Sequence, residues 1–198
     1  MSATNPSVIV LAGPNGAGKT TAAPWLLRQT LGVVEFVNAD TVAQGLAAFD
    51  PERVAFEAGS IMHARLRELA ARRRDFAFET TLASRSLAPW LADLLGTGYA
   101  FHLVFLWLPS ADFAVQRVAD RVRMGGHNVP EATVRRRYER GLRNFFQLYR
   151  PLAISWRMYD NSVMQGTCLI AAGIGTSTTQ ISDPTLWNQI TREFGHAA

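Results

Sequence analysis

Lysine is almost missing from this 198-residue chain: of 20 basic residues, 19 are arginine and one is lysine, Lys19. Cysteine occurs once, as Cys168, which excludes a disulfide framework and a multi-cysteine metal site. Cys168 sits in an apolar run and reads as a small core hydrophobe. The four histidines, His63, His102, His127 and His196, show no metal-ligand spacing. Long hydrophobic runs are lacking too. The longest, Tyr99 to Leu108, contains His102 and is about half the length that crosses a bilayer. Residues 1–11 carry no Lys or Arg, so a secretory n-region is not expected. Charged residues make up only 18% and the net charge is +4, against 48% apolar residues. That balance excludes disorder as the main state. A single soluble, cytoplasmic domain spanning residues 1–198 is expected, with no membrane partner.

What charge there is lies unevenly. Nine arginines fall between Arg117 and Arg150, opposed there only by Asp120, Glu131 and Glu139, so this stretch carries +6 and the remainder −2. A basic segment reads as an anion binder for phosphate groups, nucleic acid or an acidic partner. The alternative is a solvated helix face in a chain that prefers Arg to Lys everywhere.

Strand and helix patterns alternate along the chain. Val8 to Ala12 is a β-branched run before a Gly-rich turn, and Thr20 to Leu31 reads as a helix with Pro24 in its early turns. A second apolar run covers 33–38. Helical patterns cover 40–49 and 52–74, and Phe76 to Glu79 is a third strand. A helix over 87–95 leads to the strand 99–108, apolar throughout as a strand buried on both faces should be. Helices over 112–124, capped by Ser110 or Asp112, and 131–149 flank the loop Gly125 to Pro130. Strands at 154–159 and 167–181, the latter paired about Gly173-Ile174-Gly175, precede a helix over 184–194. The pattern predicts a three-layer α/β/α fold with a mostly parallel sheet, of P-loop kinase type, with a helical Arg-rich lid at about 117–150.

The sharpest chemical signal is Gly13-Pro14-Asn15-Gly16-Ala17-Gly18-Lys19-Thr20, which fits G-x-x-x-x-G-K-[ST] after a strand and before a helix. Glycines let the backbone curl so that N–H groups converge on phosphate oxygens at the positive end of a helix. Lys19 adds a charge for the β- and γ-phosphates. Thr20 is the candidate Mg²⁺ ligand, and Thr21 can reach the α-phosphate. The single lysine of the chain falls on the one position where this chemistry needs it.

The remaining residues narrow the kind of phosphate-loop protein. A guanine-reading N-K-x-D motif needs a second lysine, and no transporter-type signature is present. Beyond the strand ends, where ligands of open α/β sheets bind, two acids appear, Asp40 and Glu79. Asp40, in Asn38-Ala39-Asp40, can take the proton of an acceptor hydroxyl or simply cap a helix. Glu79-Thr80-Thr81 suits a polyol or a metal-bound water, or again a capping cluster. Arg85 joins the substrate-binding candidates. Arg121 and Arg123 end one helix, and Arg135, Arg136 and Arg137 lie near the start of the next. Such arginines can close over a triphosphate and neutralise charge on the transferred group. Consecutive helix positions step by about 100°, so the three cannot share one face. The competing reading is a nucleic-acid-associated NTPase, with the same arginines on the backbone and Tyr138, Phe145, Phe146 and Tyr149 stacking bases. Aromatics at helical spacing are more often core, which disfavours it.

Gly13 to Thr21, Asn38-Ala39-Asp40, Phe78 to Leu82, Gly125 to Pro130 and Tyr159-Asp160-Asn161-Ser162 occur in that order. Together they resemble the zeta-toxin family of P-loop kinases, in its small chromosomal branch, over roughly residues 6 to 165. The resemblance implies ATP and Mg²⁺ as cofactors and phosphorylation of a hydroxyl on a nucleotide sugar such as UDP-N-acetylglucosamine. It implies Asp40 as general base, Glu79, Thr80 and Thr81 as substrate contacts, and lid arginines on the γ-phosphate: Arg121 or Arg123 on one side, Arg136 or Arg137 on the other. It leaves room for an antitoxin acting in trans. No inhibitory domain is expected ahead of the first strand, which begins at Val8. The chain is shorter than the plasmid-borne toxins and its Gly-Gly-His-Asn-Val-Pro loop differs from theirs, so the acceptor is the property that transfers least.

Overall fold

The computed structural model of the chain describes residues 5–24, 26–27, 33, 35–163 and 166–195. Seven strands form one sheet: β1 (Ser7–Ala12), β2 (Phe36–Val37), β3 (Phe76–Thr80), β4 (Ala100–Trp107), β5 (Ser155–Asp160), β6 (Cys168–Ile174) and β7 (Ser177–Ile181). Their spatial order is β2-β3-β1-β4-β5-β6-β7. The first five in that order run parallel, and β6 and β7 add an antiparallel meander at one edge. The result is the mostly parallel α/β fold of P-loop kinases. The chain leaves β3 and crosses β1 to reach β4, so strand order reverses about β1. In such sheets the crevice at the carboxyl ends beside that reversal receives the ligand.

The helices are α1 (Lys19–Ala23), α2 (Ala39–Leu46), α3 (Ala55–Ala71), α4 (Leu87–Gly96), α5 (Ala111–Arg123), α6 (Glu131–Asn144) and α7 (Pro184–Phe194). Val8, Val10, Leu11, Phe76, Phe78, Phe101, Phe105 and Met158 are fully buried in the central strands. Continuous apolar runs are what a sheet covered on both faces requires. At the meander edge, Trp156 stacks on Trp187 with ring centroids 5.4 Å apart. The Arg150 guanidinium lies 4.7 Å from the Trp156 ring centre, a cation–π contact that commits this arginine to the core.

Several sequence expectations shift. Helix α1 ends at Ala23, because Pro24 brings no N–H to continue the ladder. A wider π-type turn follows at Pro24, Leu26 and Leu27. The remainder of the helix expected up to Leu31 lies outside the described residues, as does His196. The helix expected over 131–149 changes at Phe145 into a π-helical turn, Phe145–Tyr149. The β6–β7 turn falls at Gly175-Thr176, just beyond its expected centre. Cys168 opens β6 with its thiol exposed, not in the core, because the buried stretch of that strand starts at Ile170. Ser110, not Asp112, caps α5: its hydroxyl accepts from Phe113 N at 3.1 Å.

The Arg-rich hairpin is less free than a lid. Gly141 packs α6 onto the turn after β3 so closely that a Cβ there would lie 2.3 Å from the Thr81 carbonyl oxygen. Buried Asn144 donates to Leu82 O at 2.7 Å, and Tyr138 Oη donates to Leu108 O at 2.9 Å. Val129 and Val134 are buried in the core as well, so among the described residues of the hairpin the run without such anchors is the exposed turn at 122–126.

Candidate active site

The phosphate loop hangs between β1 and α1, and its glycines are dictated by space as much as by conformation. Gly13 has φ +143°, and a Cβ there would meet the Leu106 carbonyl oxygen at 2.3 Å. Gly18 has φ +74°, and its missing Cβ makes room for the Asn161 amide, 2.9 Å from where it would stand. Asn161 uses that room to donate to Ala17 O at 2.8 Å. The end of β5 thus braces the loop, a role that sequence reasoning did not assign to Asn161.

Lys19 is buried, with 6% of its surface exposed. Its ammonium donates to Pro14 O at 2.9 Å and lies 3.6 Å from Glu79 Oε1. Burial pulls its pKa below the usual lysine value, against the opposing pull of Glu79 and Asp40, while Arg121 adds to the lowering. A buried cation held with so little compensation is prepared to take an anion.

Glu79 faces this loop. Register places Leu11 beside Glu79 and Ala12 beside Thr80, so the carboxylate emerges next to the loop's root. Its Oε2 accepts from Thr20 Oγ1 at 2.9 Å and from Asn38 Nδ2 at 2.8 Å. The Asn38 side chain also caps α2, its Oδ1 accepting from Asp40 N at 2.8 Å. The capping duty open to Asp40 therefore belongs to Asn38. The Asp40 carboxylate is exposed and makes no hydrogen bond or ion pair among the described residues.

Asn15, Gly16, Gly18, Lys19, Thr20, Thr21, Asp40, Glu79, Arg117 and Arg121 line one cavity of about 580 Å³, together with Phe113, Asp120, Met124 and Ser162. Arg117 and Arg121 are four residues apart on α5 and so share a face. Arg117 donates to Ser162 O at 2.7 Å and lies over the Phe113 ring at 5.2 Å. Arg121 donates to His127 O at 2.7 Å, and its Nε is buried without a partner. From α6, Arg137 Nη1 approaches Asn15 Oδ1 at 3.5 Å. Burial lowers the Arg137 pKa, with Asp40 opposing and Arg136 adding to the shift. Lys19, Asp40, Arg121 and Arg137 thus converge.

Other candidates stay apart. Arg123, two positions from Arg121, is exposed and pairs with Asp120. Arg136 is exposed, and its bond is to Thr133 Oγ1 at 3.5 Å. Arg135 is occupied by Glu131 and Asp112. Arg85 is exposed and lines no part of the cavity. The Thr80 and Thr81 hydroxyls turn onto their own chain, accepting from Leu82 N at 3.1 Å and Ala83 N at 3.5 Å. The Pro14 carbonyl accepts from Lys19 Nζ and Ala17 N within the loop, and the Ala17 carbonyl accepts from Asn161. Tyr138, Phe145, Phe146 and Tyr149 are buried, which leaves no ring of this set to stack a base.

A hard cation suits the donors beside the loop. The Thr20 hydroxyl and the Glu79 carboxylate offer oxygen only, and no group of three or more Asp, Glu, His or Cys side chains forms a metal cage among the described residues. Mg²⁺, which keeps waters and takes phosphate oxygens, fits such a sparse oxygen set.

A parallel α/β sheet, a strand–loop–helix phosphate cradle and a buried lysine define a P-loop nucleotide-binding protein. Residues 8–145 match the family model described as "AAA domain", and the chain belongs to that family. A relative of unassigned function from Haemophilus influenzae is 24% identical over 134 residues, 66% of this chain and 91% of its own. Among solved structures, the AvrRxo1 ORF1–ORF2 complex with ATP superposes with a TM-score of 0.74 at 18% identity, over 96% of this chain. This chain spans only 64% of that longer protein. A structure of the PezAT chromosomal toxin–antitoxin system of Streptococcus pneumoniae gives a TM-score of 0.65 at 14% identity, over 100% of this chain and 82% of the neighbour. No helix among the described residues is long and apolar enough to cross a membrane.

Proposed function

We propose that this protein is an ATP-dependent phosphotransferase that moves the γ-phosphoryl group to a hydroxyl of a small polyhydroxylated metabolite. The observation that carries this reading is the Asp40 carboxylate, free of capping duty and lining the same cavity as the phosphate-loop lysine. A carboxylate with no structural bond to keep, set beside a phosphate cradle, is suited to hold an acceptor hydroxyl in line and take its proton. As the acceptor oxygen bonds to phosphorus, the bond from phosphorus to the β-phosphate oxygen breaks, and the proton passes to Asp40 and then to water. Lys19, Arg121 and Arg137 offset the charge that spreads over the transferred group. Thr20 and Glu79 would hold Mg²⁺, directly or through its waters; when bound, it supplies charge neutralisation at the phosphates.

The nucleoside end of the nucleotide would run toward Arg117 and Asn161, where a second cavity of about 620 Å³ shares Gly18, Thr21 and Arg117 with the first. The order of motifs shared with the zeta-toxin family, with ATP in one solved neighbour and a toxin–antitoxin assembly in another, supports the reading. It makes nucleotide sugars and the free sugars they carry the first acceptors to test and an antitoxin in trans the first partner to seek. Incubation with Mg²⁺–ATP and a panel of nucleotide sugars, free sugars and nucleosides tests it. A mass gain of one phosphoryl group on an acceptor is expected. ATP binding with no transfer to any hydroxyl compound would reduce the protein to a nucleotide sensor.

A further inference from the structure

A separate cavity of about 480 Å³ is lined by Gln44, Ala48, Phe49, Asp50, Pro51 and Glu52 on one side and by Gly125 to Asn128 on the other. Its volume lies within the range of small-molecule pockets, roughly 300–1,000 Å³. Both of its walls continue those of the phosphate cavity. Helix α2 gives Asp40 to the first cavity and Gln44 to the second, and positions four apart on a helix stand together on one face. The α5–α6 tip gives Arg121 and Met124 to the first and the Gly-Gly-His-Asn stretch to the second. The bond from Arg121 Nη2 to His127 O at 2.7 Å ties the two parts of that wall together. An acceptor whose hydroxyl rests at Asp40 has this cavity next along its path.

The two cavities differ in whether cations line them. The first sets the cations Lys19, Arg117 and Arg121 among the carboxylates Asp40, Glu79 and Asp120. The second has no Lys or Arg in its lining; its charged side chains are Asp50 and Glu52, and His127 is its other titratable group. Gln44 and Asn128 bring amides that pair with hydroxyls or ring heteroatoms. Phe49 stands wholly in solvent, at 105% relative exposure, presenting a full aromatic face of the kind that marks a contact surface for a ring.

We propose, on the basis of the phosphotransfer reading, that this second cavity holds the part of the acceptor distal to its reacting hydroxyl, and that it takes a sugar-sized ring free of phosphate, neutral or amine-bearing. Asp50 and Glu52 repel a second phosphate group and no Lys or Arg of that lining is there to meet it, whereas the first cavity has Lys19, Arg117 and Arg121 for the donor's triphosphate. The diphosphate of a nucleotide sugar would enter the wrong field.

Three probes that share one sugar separate the alternatives: glucosamine, N-acetylglucosamine and UDP-N-acetylglucosamine. Each is titrated calorimetrically into protein whose phosphate loop is saturated with Mg²⁺ and a non-hydrolysable ATP analogue. The two phosphate-free sugars should bind at least about tenfold more tightly than the nucleotide sugar, a difference of about 1.4 kcal/mol. The double variant Asp50→Lys, Glu52→Lys changes two exposed positions, so it should fold, and it should reverse that ranking. Phe49→Ala should weaken both free sugars about tenfold. Tightest binding of the nucleotide sugar by the native protein, no binding of any probe, or a ranking untouched by charge reversal would each overturn the proposal. The mass assay keeps the two readings apart. Sugars bound in the expected order without transfer would sink the phosphotransferase reading alone. Transfer to a nucleotide sugar, unaffected by the double variant, would sink the subsite alone.

Discussion

Replacing Glu79 by Gln leaves shape almost unchanged and removes the nearest counter-charge of a buried ammonium. Lys19 Nζ and Glu79 Oε1 lie 3.6 Å apart with side chains 6% and 9% exposed. Removing one partner of such a buried pair costs about 3–5 kcal/mol. Lys19 keeps the Pro14 carbonyl at 2.9 Å and the field of Asp40, which places the expected loss at about 2–4 kcal/mol. The new amide must also turn its oxygen to Asn38 and Thr20, since both donate to Glu79 in the native site. For a chain of this size the melting temperature should fall by about 5–15 °C. Phosphate oxygens can replace the lost carboxylate beside the same ammonium, so the deficit should shrink when melting is repeated with saturating ATP in the absence of Mg²⁺, whose binding Glu79 would itself support. A loss below about 1 kcal/mol, or an equal loss with and without Mg²⁺-free ATP, would refute the reasoning that Glu79 offsets the buried Lys19 charge where phosphate oxygens can also do so.

Other consequences are equally direct. Because burial lowers the Lys19 pKa, the folded protein binds that proton more weakly than the unfolded chain. Its contribution to stability should therefore rise as pH climbs from the lowered value toward 10.5 and level off above it. Urea midpoints of the native protein should show that rise relative to Lys19→Met. Arg121→Ala should lower turnover by about 10²–10³-fold, while Arg123→Ala, which removes only an exposed pair with Asp120, should change it less than about twofold; steady-state rates on the identified acceptor decide between them. Gly141→Ala should destabilise by about 1–3 kcal/mol, read from urea midpoints, because its Cβ would press on the Thr81 carbonyl at 2.3 Å.

How far these features could be read from the sequence depends on the range of the interaction behind each. The phosphate loop is local: eight consecutive residues carry its conformation, and the pattern shows at once. The alternation of apolar runs was likewise enough for the parallel sheet, since burial on both faces leaves a composition that no helix face hides. The direction of Glu79 was not legible, because it follows from the β1–β3 register, a contact between residues 68 apart in the chain. Deciding between Asn38 and Asp40 as the cap needed the dihedral angles of one residue. The choice of Arg121 over Arg123 had a usable sign: Arg121 falls one turn after Arg117, so the two share a face. Which face meets the loop is tertiary. Asn161 gave no local signal, since its role arises where β5 ends beside a loop residue 144 positions earlier. The distance from Arg137 to Asn15 depends in the same way on how α6 docks over Gly141.

The phosphotransfer proposal rests on Asp40. Asp40→Asn keeps the shape and the Asn38 cap, which binds the Asp40 backbone N–H and not its side chain. Phosphoryl transfer measured in single turnover should drop by about 10²–10⁴-fold, while the affinity for Mg²⁺–ATP stays within about threefold. Transfer at the native rate by the Asp40→Asn variant would contradict the proposal that this carboxylate takes the acceptor's proton.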